Sequence, residues 1–94
     1  MNKPFYTSAA TQDLEDILRY IAKDKPNAAV AWVRQLESKC LLIATAPEIG
    51  EAKPQLGIGV RASVVGRYVI FHRHTNERVE ILRVIAGDRD VTEL

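Results

Sequence analysis

Hydrophobic residues at Ala10, Leu14, Ile17, Leu18 and Ile21 recur every three or four positions, which gathers them on one stripe of an α-helix. Thr7 or Ser8 stands where a hydroxyl can accept from the helix's open amides; Asp13, Glu15 and Asp16 lie toward its start, and Glu15 precedes Arg19 by four residues. Asp24-Lys25-Pro26-Asn27 ends this helix, and Pro26 suits the first turn of a second. Ala29, Trp32, Val33, Leu36, Cys40 and Ile43 then keep helical spacing up to Pro47, with Val30, Leu41 and Leu42 flanking the stripe. The second helix is therefore apolar over more than one buried face uses.

A short strand candidate, Pro4 to Thr7, precedes the helical hairpin. Pro47, Gly50, Pro54, Gly57 and Gly59 make the next stretch an ordered loop. Three segments rich in β-branched and aromatic residues follow: Val60 to Val65, broken at Gly66; Tyr68 to Arg73, broken at Thr75-Asn76-Glu77; and Arg78 to Ile85, broken at Gly87-Asp88. The short breaks predict an antiparallel meander. Alternation puts Tyr68 with Ile70 on one face, Val69 with Phe71 on the other, and Ile81 with Ile85 opposite Leu82 with Val84. The expected fold is one α+β domain over residues 1–94: an N-terminal strand, a helical hairpin, then a three-strand antiparallel meander with the hairpin on one face. Two helices cannot cover both faces, so the other needs a homodimer, a bound peptide or a returning stretch of the same chain.

Composition narrows the function. At 94 residues, 47% hydrophobic and 27% charged, the chain has the means for a core and none of the bias of a disordered tail. Thirteen basic against 12 acidic residues leave a net charge of +1, so no strong direct nucleic-acid binding is expected. One cysteine makes no internal disulfide, the N-terminus carries no apolar leader, and no apolar run reaches the roughly 18 residues of a membrane span. A cytoplasmic protein without membrane attachment is expected.

Gly57-Ile58-Gly59-Val60-Arg61-Ala62 has the spacing of a dinucleotide fingerprint without the strand before it or the helix after it, and reads as loop punctuation. His72 and His74 share one side of a strand but lack a third ligand, so neither metal nor cofactor is expected. Cys40, on the apolar stripe, reads as a small buried thiol. Arg73 and Arg78 read as mostly solvated. Arg83, placed by alternation between Ile81 and Ile85, needs an acidic partner or ligand; Gly87-Asp88-Arg89-Asp90 offers an internal one.

Three stretches carry a family resemblance over nearly the whole chain: Ala10, Asp13-Leu14, Ile17 and Tyr20-Ile21; Ala46-Pro47 with Gly50; and Arg61, Tyr68-Val69-Ile70, then Ile81-Leu82-Arg83-Val84 through Arg89-Asp90. In order and spacing they resemble the RelE/ParE superfamily of toxins from bacterial type II toxin-antitoxin modules. The resemblance implies a toxin silenced when the C-terminal segment of its antitoxin wraps around it, forming a toxin–antitoxin hetero-oligomer. RelE-like members cut messenger RNA on the ribosome, whereas ParE-like members inhibit DNA gyrase and cleave no bond themselves. Metal-free RNA cleavage needs a base, cations and a proton donor. RelE-like enzymes place lysines before the second strand and a tyrosine after the position matching Arg89. Here only Lys53 lies in that loop, no aromatic residue follows Phe71, and Asp88 and Asp90 flank Arg89.

The ParE-like subgroup is therefore nearer, with one departure: Ala86 stands where many relatives carry histidine. The resemblance implies DNA gyrase as target, Arg61, Arg83 and Arg89 as target-inhibition residues, and no catalytic residue. The surplus apolar surface nominates Leu18, Tyr20, Trp32 and Leu41 as antitoxin contacts. The alternatives are a RelE-like ribosome-dependent endoribonuclease, in which His72 or His74 supplies the missing acid or base, and a degenerate toxin that retains only antitoxin binding.

Overall fold

Thr7 sets the start of the first helix. Its Oγ1 accepts from the Ala10 amide at 3.0 Å and donates to the Leu82 carbonyl at 2.9 Å, so one hydroxyl both caps the helix and ties it to the last strand. A computed structural model describes residues 3–94, leaving outside them Met1 and Asn2, which the reading of the N-terminus included. The chain runs β1 (Phe5–Tyr6), α1 (Ser8–Ala22), α2 (Pro26–Thr45), β2 (Glu51–Ala52), a 3-10 turn (Pro54–Leu56), β3 (Val60–Val65), β4 (Tyr68–His74) and β5 (Val79–Ala86). The strands form one sheet in the order β1-β5-β4-β3-β2. β1 runs parallel to β5, and every other neighbouring pair is antiparallel.

The hairpin and the meander stand as expected. The sheet is wider than the meander because β2 forms inside the stretch expected to be loop, pairing Glu51 with Ala62 and Ala52 with Arg61. Gly50 makes that approach feasible: its φ is +90°, and a Cβ there would lie 2.6 Å from both the Ala62 carbonyl oxygen and Ser63 Oγ. No side-chain-bearing residue fits that position.

Between helices and sheet, Ala10 and Ile17 of α1 and Leu36, Cys40 and Ile43 of α2 pack on Tyr68, Ile70, Ile81 and Val84. Burying side chains of this size contributes about 1.5–3 kcal/mol each. The opposite sheet face carries a second cluster, Val60, Ala62, Phe71 and Ile85, on which Leu56 and Val91 pack. Returning stretches of the same chain therefore cover part of that face, while Val64 remains exposed.

Alternation fails at one point on β5. Phe71 pairs with Arg83 but His72 pairs with Ile81, so Leu82 is an extra residue and the strand bulges there. Beyond the bulge, Val84 joins Ile81 in the main core, and Ile85 joins Phe71 and Leu82 in the second cluster. The expected grouping of Ile81 with Ile85 is thereby corrected.

Trp32 of α2 lies edge-on to Tyr68, ring centroids 5.8 Å apart, and covers the β3–β4 turn. At that turn Gly66 has φ +58°, and a Cβ on it would overlap Trp32 Cη2 and lie 2.8 Å from Cζ3. Left-handed backbone and overpacking both penalise a side chain here, so Gly66→Ala is expected to cost about 2–4 kcal/mol. Urea denaturation checks this; a loss below about 0.5 kcal/mol would show that the indole moves freely.

Candidate functional site

The four apolar residues nominated as antitoxin contacts are exposed or half-buried, but they do not form one patch. Leu18 lines a groove of about 270 Å³ between α1 and α2 with Leu14, Val33 and Tyr6. Tyr20, 65% exposed, lies on the other flank of α1, in a cleft of about 320 Å³ shared with Arg67, Asp88 and Arg89. Trp32 is committed to Tyr68 and Gly66. Leu41 is 51% exposed on α2, and Val30 and Leu42 are exposed like it, so the surplus apolar surface of that helix is real.

The three arginines nominated for target inhibition are also dispersed, on β3, on β5 and just past β5. Arg61 of β3 donates from Nη1 to the Gly50 carbonyl at 2.9 Å, fastening the loop before β2. Arg83 donates to Asp13 of α1 through Nε at 2.7 Å and Nη2 at 2.9 Å, and Asp13 also accepts from the Val84 amide at 2.9 Å. The hydrogen bonds from Arg83 to Asp13 raise the guanidinium's pKa further above its ordinary value. The acidic partner that Arg83 required is thus Asp13, across the helix–sheet interface, and not the terminal Asp88 or Asp90. Arg89, just past β5, lines both the Tyr20 cleft and a cleft of about 490 Å³ bordered by Val69, Phe71, Gly87 and Val91.

Arg73 and Arg78 keep solvent-exposed side chains, as expected, but both are engaged. Both bind Glu80, at 3.1 and 3.2 Å, and Arg78 stacks its guanidinium 3.7 Å from the centre of the Phe5 ring. The hydrogen bond from Arg73, followed by that from Arg78, holds the Glu80 carboxyl below the usual range. The trio pins the edge strand β1 to β5. On α1, Arg19 meets Asp16 at 3.6 Å, not the Glu15 that its spacing suggested.

His72 is fully buried. Its Nε2 shares a 2.9 Å hydrogen bond with Ser63 Oγ, and its Nδ1 is buried without a partner. Burial first, then the charges of Arg61 and Lys39, pull its pKa down to about 4, so the ring is neutral at pH 7. Among the described residues no group of three His, Cys, Asp or Glu gathers as a metal site. Cys40 is buried as expected; burial pushes its thiol up to about 11 against the lowering effect of its hydrogen bond with Tyr6. Gly57–Gly59 lies between the 3-10 turn and β3 with no helix after it, which leaves the glycines as punctuation.

Sequence reasoning missed Asp13 and Glu80. Asp13 had a signal: it lies three residues after Ala10 and four before Ile17, on the core stripe of α1, where a carboxylate needs a cation.

No helix among the described residues is long and apolar enough to cross a membrane. Comparison with known proteins agrees with the fold and the family motifs. The chain is similar over 94% of its length to the solved structure "Chromosomal ParDE TA system from P. aeruginosa", covering 98% of that chain with a TM-score of 0.78 at 20% identity, which supports the fold. It is 34% identical over 85 residues to Toxin ParE1 of Caulobacter vibrioides, covering 88% of each protein. A sequence profile described as "ParE toxin of type II toxin-antitoxin system, parDE" matches residues 5–91. The chain belongs to the ParE family of type II toxin-antitoxin toxins.

Proposed function

We propose that this toxin acts in the cytoplasm by binding and inhibiting DNA gyrase, cleaves no RNA itself, and is neutralised by an antitoxin segment lying along the α1–α2 hairpin. The observation that carries this reading is the state of the imidazole nearest the arginines. His72 is sealed in the core, bonded to Ser63 and neutral, so it offers no proton to a bound message. His74 lies at the far end of β4, six residues beyond Tyr68, about 20 Å along an extended strand from the Arg67–Arg89 end. Arginine stabilises phosphate charge but stays protonated throughout the physiological range and does not act as an acid–base pair.

Arg89 is the member of the nominated trio whose guanidinium makes no hydrogen bond or ion pair among the described residues; Arg61 is held by the Gly50 carbonyl and Arg83 by the Asp13 carboxylate. Arg89→Ala is therefore expected to lower growth inhibition at least tenfold at equal soluble abundance, without shifting the unfolding midpoint. Undiminished toxicity would remove Arg89 from the target surface. Coexpression of the cognate antitoxin is expected to restore growth, and Leu18→Asp to reduce that protection.

A further inference from the structure

The floor and walls of the α1–α2 groove are formed by Tyr6, Thr11, Leu14, Leu18 and Val33, and its charged lining residues are Glu15 and Glu37. Glu15 comes from α1 and Glu37 from α2, so a carboxylate stands on each bank. Neither is in an ion pair with a basic side chain among the described residues. Tyr6 of β1 and Glu37 line the same groove, which sets the Glu37 carboxylate toward its β1 end. β1 is the edge of the sheet, with β5 as its one neighbour, so the groove opens onto a free margin.

We infer that this groove selects its occupant by charge: it takes an amphipathic helical segment whose apolar side chains enter between the helices and whose lysines or arginines meet Glu15 and Glu37. Two carboxylates on an apolar trough repel phosphates and acidic peptides, which disfavours nucleic acid or an acidic segment at this place. Apolar anchors at helical spacing fill a groove between two helices, and the flanking cations set register and partner choice. The inference deepens the proposed antitoxin docking and rests on it for the occupant's biological source; the charge preference is tested without the antitoxin.

The probes are two capped synthetic helices of about 15 residues, each with leucines on one face, one flanked by lysines and the other by glutamates. Fluorescence anisotropy measures both against the wild-type chain, Glu15→Gln/Glu37→Gln, Glu15→Lys/Glu37→Lys and Leu18→Ser. All substituted positions are exposed, and circular dichroism checks that each variant keeps its fold. The wild type is expected to prefer the lysine helix at least tenfold, about 1.4 kcal/mol. The Gln variant abolishes that preference, the Lys variant reverses it, Leu18→Ser weakens binding of the lysine helix, and raising salt from about 0.05 to 0.5 M narrows the difference. No binding, equal binding of both helices, or a preference that survives in the Gln variant would overturn the inference. A dimer seen by sedimentation that the Lys variant dissolves would assign the groove to a second copy of the chain instead. If the charge preference holds while the cognate antitoxin gives no protection, the fault lies in the proposed docking and not in the groove's selectivity.

Discussion

Asp13→Ala is expected to remove about 3–5 kcal/mol of stability, a large share of the roughly 5–14 kcal/mol that a chain of this length commands. Asp13 is 12% and Arg83 28% exposed at the side chain, so the guanidinium left behind is poorly reached by water. The carboxylate does more than neutralise it: two charge-assisted bonds go to Arg83 and a third to the Val84 amide, directly beyond the β5 bulge. Losing it strands a cation and a backbone donor together. The paired replacement Asp13→Leu/Arg83→Met is expected to recover much of the loss, because it removes the charge as well as its partner. Urea denaturation of the wild type, the single variant and the double variant checks this. A single variant within about 1 kcal/mol of wild type would mean that the pair contributes no more than an ordinary surface bridge.

His72 gives the chain a second large dependence, on pH. Folded, it titrates at about 4; unfolded, near the ordinary value of about 6.5. Between those values the unfolded chain binds the extra proton, so stability is full above about pH 6.5 and falls as the pH drops toward 4. The total is on the order of 3 kcal/mol, of which about 2 kcal/mol is lost between pH 7 and pH 5. The charges facing the ring, Arg61 from β3 and Lys39 from α2, act in the same direction as burial. Chemical denaturation at both pH values, repeated with His72→Gln, isolates the effect, since the amide stays neutral. If the variant loses as much stability as the wild type over that interval, His72 is not the group responsible.

The helices were legible because their apolar spacing is long and regular, and Leu36, Cys40 and Ile43 fall where that spacing put them. β4 was equally open, with Tyr68 and Ile70 facing the helices and Val69 and Phe71 facing away. What the pattern hid depends on the chain meeting itself. β2 is two residues long and exists only because Gly50 lets it approach β3. The bulge at Leu82 follows from pairing with β4, and no local signal separates it from unbroken alternation. Family motifs nominated Arg61, Arg83 and Arg89 as a set, but a motif records residue types in order and not their partners. Asp13 is 70 residues from Arg83 in the chain, and Glu80 draws in Arg73 and Arg78 from two sides. The exposed apolar surface was partly legible: Val30, Leu41 and Leu42 marked α2, while the groove and its two acidic banks required both helices in place.

Supercoiling of relaxed plasmid by purified DNA gyrase, with and without the purified toxin and beside a translating-ribosome reaction on a defined message, separates gyrase inhibition from message cleavage. The expected result is inhibited supercoiling or trapped cleaved plasmid with an intact message, relieved by prior mixing with the cognate antitoxin. Unimpaired supercoiling with a message cut at codon-defined positions, and cutting that disappears in His72→Ala or His74→Ala, would contradict it.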